Sequence, residues 1–472
     1  MNSILEINKL TYTLPDVSVA AKQTQRTRSF AFPQNYINVQ AGDVIPILVN
    51  SGRSYIDARQ SSLNFVLKAN VSLPTDMIWF CFDAGFGNKN SGATVLNLIA
   101  ELLIESRDGT VLYKENYLNI MQNIREYKIS IEKKNMLTMI GGSYDTESWN
   151  DANFPLYKVN LNNSFNINLS DLCAMFNTSN LLLPELITGA KISLVLSQLK
   201  QYIIGLNQNL EQVDLPDDIT FDITDVSLYL HQVDLYDGVQ SVIKNSLTSL
   251  NKGLEFPYYC YHNSRFRPTS SSFTFDVQLS AQNVQYIAIK FFRRDYDKDV
   301  LQTVGSAGIY QLRSERTTAD DNALGFSVRA KIGSQFYPNY QIVSATEAYI
   351  NTCQALNPIS HSDTCDIDVL MNTNKLSAGV MPYSNYCING DFNDPVPDSG
   401  TYTSGLSSGA FLVAISLEKS NNVSLTGVQT TQGRTISIDI QGLENYHLFD
   451  LYSQVQYLSV VTVTENNCIV SK

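Results

Sequence analysis

Leu63-Asn64-Phe65-Val66-Leu67-Lys68 puts Leu63, Phe65 and Leu67 on one face of an extended chain and Asn64, Val66 and Lys68 on the other. That period marks a half-buried strand, and it recurs along the sequence. Ile192, Leu194 and Leu196 alternate with Ser193 and Val195, and Val226, Leu228 and Leu230 form one face of the next run. Phe273, Phe275, Val277 and Leu279 follow, then Ile436, Ile438 and Ile440, then Leu458, Val460 and Thr462. Tyr286 to Phe292 and Phe411 to Leu417 are apolar on both faces, as strands covered on two sides are. Asp108-Gly109, between Ile99–Ser106 and Val111–Tyr113, is a hairpin-turn signal. These runs predict an all-β chain.

Helices are few and short. Glu115 to Tyr127 carries Leu118, Met121 and Ile124 at helical spacing, Ser170 to Phe176 predicts one or two turns, and Ser344-Ala-Thr-Glu347 is a capping box opening a helix to about Leu356. The order repeats. A leading strand (Leu63–Asn70), a helix (Glu115–Tyr127) and a closing strand (Asp222–Leu230) are followed by Phe273–Leu279, Ser344–Leu356 and Tyr457–Thr464. A chain of 472 residues exceeds what one core serves, and at roughly 150–200 residues per domain it suggests two or three, of which the repeated order favours two. The expectation is two tandem jelly-roll β-sandwiches, at 35–240 and 255–468, after an N-terminal arm at 1–34 and before a tail at 469–472. The 241–254 linker falls within Asp237 to Glu255, where VQSVIKNSLTSLNKG reads as a connecting helix.

Hydrophobic residues make up 44% of the chain and charged residues 17%, well below the roughly 25% typical of soluble proteins, so some surface is expected to be buried against partners. The 26 Tyr, 21 Phe and 2 Trp read first as core and then as subunit contact. Apolar runs are far shorter than the ~18 residues of a membrane helix. MNSILEINKLTYTLPD has no secretory signal pattern, so synthesis in a reducing compartment, the cytoplasm, is expected. Cys81, Cys173, Cys260, Cys353, Cys365, Cys387 and Cys468 are an odd set without a CxxC pair and read as free, mostly buried thiols. A net charge of −12 argues against coating nucleic acid; the densest basic groups are Arg26/Arg28 and Arg293/Arg294.

Motifs that would carry chemistry fail on their context. His231, His262, His361 and His447 are scattered, and Cys260-Tyr-His262 lacks the rest of a tetrahedral metal site. Gly405-Leu-Ser407-Ser-Gly409 matches a hydrolase elbow in letters, but a strand follows it where a helix is needed. Gly87 to Thr94 has phosphate-loop spacing with Ala93 where Lys is required, and Ser241-Val-Ile-Lys244 lacks its companion motifs. Neither Asp214, Asp217 and Asp218 nor Asp295, Asp297 and Asp299 satisfies a calcium loop. No enzyme activity, catalytic residue, cofactor or metal is expected. The loops Gly85–Gly92, Tyr144–Asn153 and Asp391–Gly409 are placed at the sandwich ends.

Ser51-Gly-Arg-Ser-Tyr55-Ile-Asp57 runs on to Leu63-Asn-Phe65 at the entry to a long strand. Ile167-Asn-Leu169-Ser-Asp171-Leu172 to Phe176, a short helix, is followed by a turn at Leu183-Pro184 and by Leu186 to Ile192, which leads into a strand. Gly427 to Arg434 precedes the strand to Ile440, and Tyr457–Val463 follows. In this order the three stretches resemble the double jelly-roll major capsid proteins of the polinton, polinton-like virus and virophage branch of double-stranded DNA viruses. The resemblance implies a homotrimer of six upright jelly rolls, a pseudo-hexagonal capsomer that packs with its neighbours, penton and cement proteins into an icosahedral virion shell. The alternative of another class is a two-domain attachment or carbohydrate-binding protein.

Overall fold

The computed structural model describes residues 21–31, 33–72, 76–82, 95–126, 157–177, 181–209, 212–249, 254–293, 323–356, 412–417, 427–431, 434–444, 446–464 and 468–471. The first half runs β1 (Ala21–Phe30), β2 (Val44–Leu48), β3 (Tyr55–Asn70), β4 (Trp79–Phe82), β5 (Ile99–Glu105), β6 (Val111–Asn116), β7 (Tyr157–Lys158), β8 (Asn163–Asn168), β9 (Lys191–Leu196), β10 (Ile203–Leu206), β11 (Gln212–Val213) and β12 (Thr220–Leu235). The second runs β13 (Leu254–Phe266), β14 (Phe273–Val277), β15 (Val284–Arg293), β16 (Ala323–Ile332), β17 (Gln335–Ser344), β18 (Leu412–Ser416), β19 (Ile436–Gln441), β20 (Phe449–Val463) and β21 (Cys468–Ser471).

Eight strands of the first half form two antiparallel sheets, β1-β12-β3-β8 and β2-β9-β5-β6. The second half forms β13-β20-β15-β18, extended by β21, and β14-β19-β16-β17. Numbered by position within its own eight strands, each half reads 1-8-3-6 in one sheet and 2-7-4-5 in the other. The chain is two jelly-roll sandwiches, in agreement with the fold read from its alternating segments.

Alternation locates the cores because one face of a strand must leave water. Leu63, Phe65 and Leu67 are buried in β3, and Ile436, Ile438 and Ile440 in β19, each such side chain contributing about 1.5–3 kcal/mol. β15 and β18, apolar on both faces, are buried from Val284 to Phe292 and from Leu412 to Ile415. β20 corrects the reading: Val461 and Val463 are buried while Leu458, Val460 and Thr462 are half-buried. Valines at 460, 461 and 463 leave its sequence without a distinct polar face.

The pairing of leading strands is also corrected. Leu63–Asn70 lies in β3, third of its set, whereas Phe273–Leu279 begins β14, second of its set. The slip has a physical cause: β1 reads AKQTQRTRSF, an edge strand that among the described residues is bonded to β12 alone and is largely exposed, so it carries no apolar face to detect. β1 takes ten residues of the segment assigned to an arm, and β21 takes residues of the segment assigned to a tail.

Among the described residues five α-helices join the strands: α1 (Leu118–Glu126), α2 (Leu169–Leu172), α3 (Pro184–Ile187), α4 (Asp237–Ser249) and α5 (Ala345–Leu356). α1 and α5 follow the fifth strand of their sandwiches, so the expected helices are equivalent. At α5 the capping box is complete: Glu347 N donates to Ser344 Oγ at 3.2 Å, and Glu347 Oε2 accepts from Ser344 N at 3.2 Å and Val343 N at 2.9 Å. α4 joins the halves where a connecting helix is expected.

The connections from β3 to β5, β6 to β8 and β9 to β12 supply β4, β7, β10 and β11, which pair as β11-β10-β4-β7. This small sheet is tied to the first core by rings: Tyr157–Phe165 at 5.0 Å, Phe82–Phe165 at 5.7 Å and Phe65–Phe165 at 5.5 Å. The loops Gly85–Gly92, Tyr144–Asn153 and Asp391–Gly409 lie outside the described residues. Gly427 is fixed by space: its N–H donates to Asn283 Oδ1 at 2.9 Å, and a Cβ would stand 2.4 Å from Val284 O.

Candidate assembly interface

Two edge strands meet inside the chain. β6 ends one sheet of the first sandwich, β13 ends one sheet of the second, and they lie side by side. Asn263 Nδ2 donates to Asn116 O at 2.6 Å and to Glu115 Oε1 at 3.2 Å. Tyr113 OH donates to Glu115 Oε2, and Tyr258 OH to Leu112 O. Glu115 is 1% exposed, so these bonds replace the water its carboxylate has lost.

α1 extends the contact. Tyr117 turns the chain from β6 into the helix with φ +55°, a left-handed conformation that costs a non-glycine residue about 1–2 kcal/mol. Its ring stands edge-on to Tyr452 of β20 at 5.3 Å, and Tyr452 stands edge-on to Phe292 of β15 at 5.8 Å. Lys290 of β15 is 1% exposed, and its Nζ donates to Ile120 O of α1 at 3.0 Å. Asp450, also buried, accepts from Arg265 Nε at 2.9 Å and Arg267 Nε at 3.3 Å. Burial pushes Tyr452 up to about 12 and raises Tyr258 and Tyr457 well above the usual phenol value, so all three remain protonated at neutral pH.

The equivalent elements at the other two edges have no such cover among the described residues. β17 and α5, counterparts of β6 and α1, expose Phe336, Tyr340, Val343 and Ile350. β1, counterpart of β13, and its neighbours expose Phe30, Ile37, Val44 and Leu48, the last at 60%. Each patch carries cations over its rings: Arg329 lies 4.1 Å from the Phe336 centroid, and Arg28 lies 4.5 Å from that of Phe30. Arg28 also donates from Nε to Ser227 Oγ at 2.9 Å.

The other sequence candidates fall apart from one another. Ser241 donates within its own helix to Gly238 O at 2.8 Å, and Asp218 accepts from Ser72 N at 3.2 Å. His262 contacts Ser264, and among the described residues no group of three His, Cys, Asp or Glu could hold a metal. Cys173, Cys260, Cys353 and Cys468 stand outside any disulfide. Gly405–Gly409, Gly87 to Thr94, His361, and Asp295, Asp297 and Asp299 lie outside the described residues. No helix among the described residues is long and apolar enough to cross a membrane. The junction residues escaped the sequence reading, although Lys290 inside an otherwise apolar strand was a visible signal.

No family model matches the chain, and no curated protein matches it. Solved structures do. A chain of the Sputnik virophage cryo-EM structure superposes at TM-score 0.54 with 11% identity, covering 98% of this chain and 90% of that one. The Faustovirus major capsid protein gives 0.53 with 9% identity over 96% and 92%, and a chain of the PBCV-1 virus capsid gives 0.53 with 9% identity over 98% and 99%. At such identities the likeness is one of architecture. The fold of this chain is the double jelly roll of virus major capsid proteins.

Proposed function

We propose that the chain is a structural capsid subunit, a non-enzymatic homotrimer that tiles an icosahedral shell around double-stranded DNA. The observation that carries this is the repeated edge. Within one chain β6 lies along β13 while α1 meets β15; between chains β17 and α5 of one copy cover β1 and its neighbours on the next. Such a head-to-tail contact, made by unlike surfaces, forms a closed ring when its rotation closes. Three chains then supply six sandwiches with alternating internal and external junctions, a pseudo-hexagonal tile. Trimer–trimer, penton and cement contacts, and location in the virion, belong to the same proposal. The capsid folds matched over nearly the whole chain support it.

Light scattering coupled to size exclusion, with negative-stain imaging of the main peak, tests it. The expected species is three chains of 52.7 kDa, about 158 kDa, with a six-cornered outline. A monomer that stays at 52.7 kDa on concentration and binds a glycan would overturn it in favour of an attachment protein.

A further inference from the structure

Where the sheet β13-β20-β15 meets the first sandwich, its face is polar and buried. Asn263 of β13 and Gln454 of β20 stand directly opposite each other on it, 5% and 0% exposed. Opposed residues of an antiparallel pair project from one face, with Cβ atoms about 4.5–5.5 Å apart. Both amides are oriented by their partners. Asn263 Nδ2 donates away from β20, to Asn116 O at 2.6 Å and Glu115 Oε1 at 3.2 Å on β6, so Oδ1 is the branch left towards β20. Gln454 Oε1 accepts at 3.2 Å from Tyr286 OH of β15, on the far side of β20 from β13, so Nε2 is the branch turned back towards Asn263. Asn263 Oδ1 and Gln454 Nε2 are buried without a hydrogen-bond partner among the described residues. So is Asn116 Oδ1, on the residue whose backbone oxygen Asn263 binds. Each such group carries its full desolvation penalty unless something bridges them.

We infer that Asn263, Gln454 and Asn116 bind one ordered water molecule that joins the two sandwiches. The water accepts from Gln454 Nε2 and donates its two hydrogens to Asn263 Oδ1 and Asn116 Oδ1, making about three bonds, the usual number for a buried water. Mixed demand selects this ligand. A metal cation would satisfy the two oxygens and face the N–H of Gln454 head-on, and the Glu115 carboxylate that would attract it already accepts from Asn263 and Tyr113. An anion would satisfy Gln454 and be repelled by both amide oxygens and by Glu115. Water supplies two donors and an acceptor from a single small atom. Asn116 belongs to the first sandwich and the other two residues to the second, so the water is a tie between them.

The inference stands apart from the capsid reading, because the joint lies within one chain in whatever assembly it forms. The test is a crystallographic or cryo-EM map of the natural chain, fine enough to show ordered water, beside one of Asn116→Leu. The natural chain is expected to show a single peak at about 2.7–3.2 Å from Asn263 Oδ1, Gln454 Nε2 and Asn116 Oδ1. Asn116→Leu keeps the size of the side chain and removes one acceptor, leaving Asn263 and Gln454 in place, and the peak is expected to weaken or vanish. A map in which Gln454 Nε2 and Asn263 Oδ1 close directly on each other, or one with no density between them, overturns the inference. A peak undiminished in the variant does the same, since Asn116 would then hold nothing. So does a peak at about 2.3–2.6 Å from the oxygens whose height follows the cation in the buffer, which would make the joint a metal site.

Discussion

β6 and β17 hold the same fifth place in their sandwiches, and each runs directly into a helix, yet one is covered and the other bare. In β6 the covered edge carries Tyr113 and Glu115, buried and bonded within their strand and to β13. In β17 the edge carries Phe336, Tyr340 and Val343 in the open, Tyr340 at 47% exposure. Edge strands template pairing with other chains unless something guards them. The contrast separates an edge whose partner is built into the chain, where polar groups fix one geometry, from an edge that keeps apolar area for a partner arriving from outside.

The largest effect should come from breaking the open edge. Phe336→Asp with Val343→Asp puts two charges where an apolar contact between copies is proposed, and desolvating unpaired charges is prohibitive. The expected result is loss of the trimer, with the scattering mass falling from about 158 kDa to the 52.7 kDa of one chain and circular dichroism unchanged. A trimer that survives both substitutions would place the intersubunit contact elsewhere.

Breaking the covered edge should act on stability. Asn263→Leu removes the donors to Asn116 O and Glu115 Oε1 and leaves a buried carboxylate short of a partner. The cost is about 3 kcal/mol, which for a unit of this size lowers Tm by roughly 6–12 °C in calorimetry. If β6 and β13 instead melt unchanged, these hydrogen bonds do not hold the sandwiches together. A smaller loss follows from Ser344→Ala at α5, about 1 kcal/mol in the same measurement, since one cap hydroxyl is removed from the helix flanking the open edge.

These two edges also mark how far the sequence could be read. β3 and β19 were legible because burial on one face imposes a period of two, and α5 because a capping box is a local arrangement of four residues. β1 was invisible because an edge strand that keeps Lys22, Arg26 and Arg28 in solvent need not alternate. The junction was illegible for another reason: Asn263 and Glu115 stand 148 residues apart, and nothing near either one specifies the other. Local chemistry is written locally; contacts between sandwiches exist only once both have folded.

Asp108 offers the smallest and most specific test of the covered junction, since its carboxylate binds both its own hairpin and Cys468 N of the second sandwich. The Ser106 hydroxyl, with the Thr110 and Cys468 backbone N–H groups, lowers its pKa to about 2. The unfolded value is near 3.9, so the folded state is the weaker proton binder. The stability it contributes is therefore complete above the unfolded value and is lost as pH falls through the folded one. Asp108 is exposed and water screens its hydrogen bonds, so the effect should be slight. The Tm gap between the natural chain and Asp108→Asn should stay level from pH 7 to pH 5 and close between pH 4 and pH 2. A gap that persists to the acid end would mean that Asp108 acts through its shape in the turn and carries no charge-dependent tie between the two sandwiches.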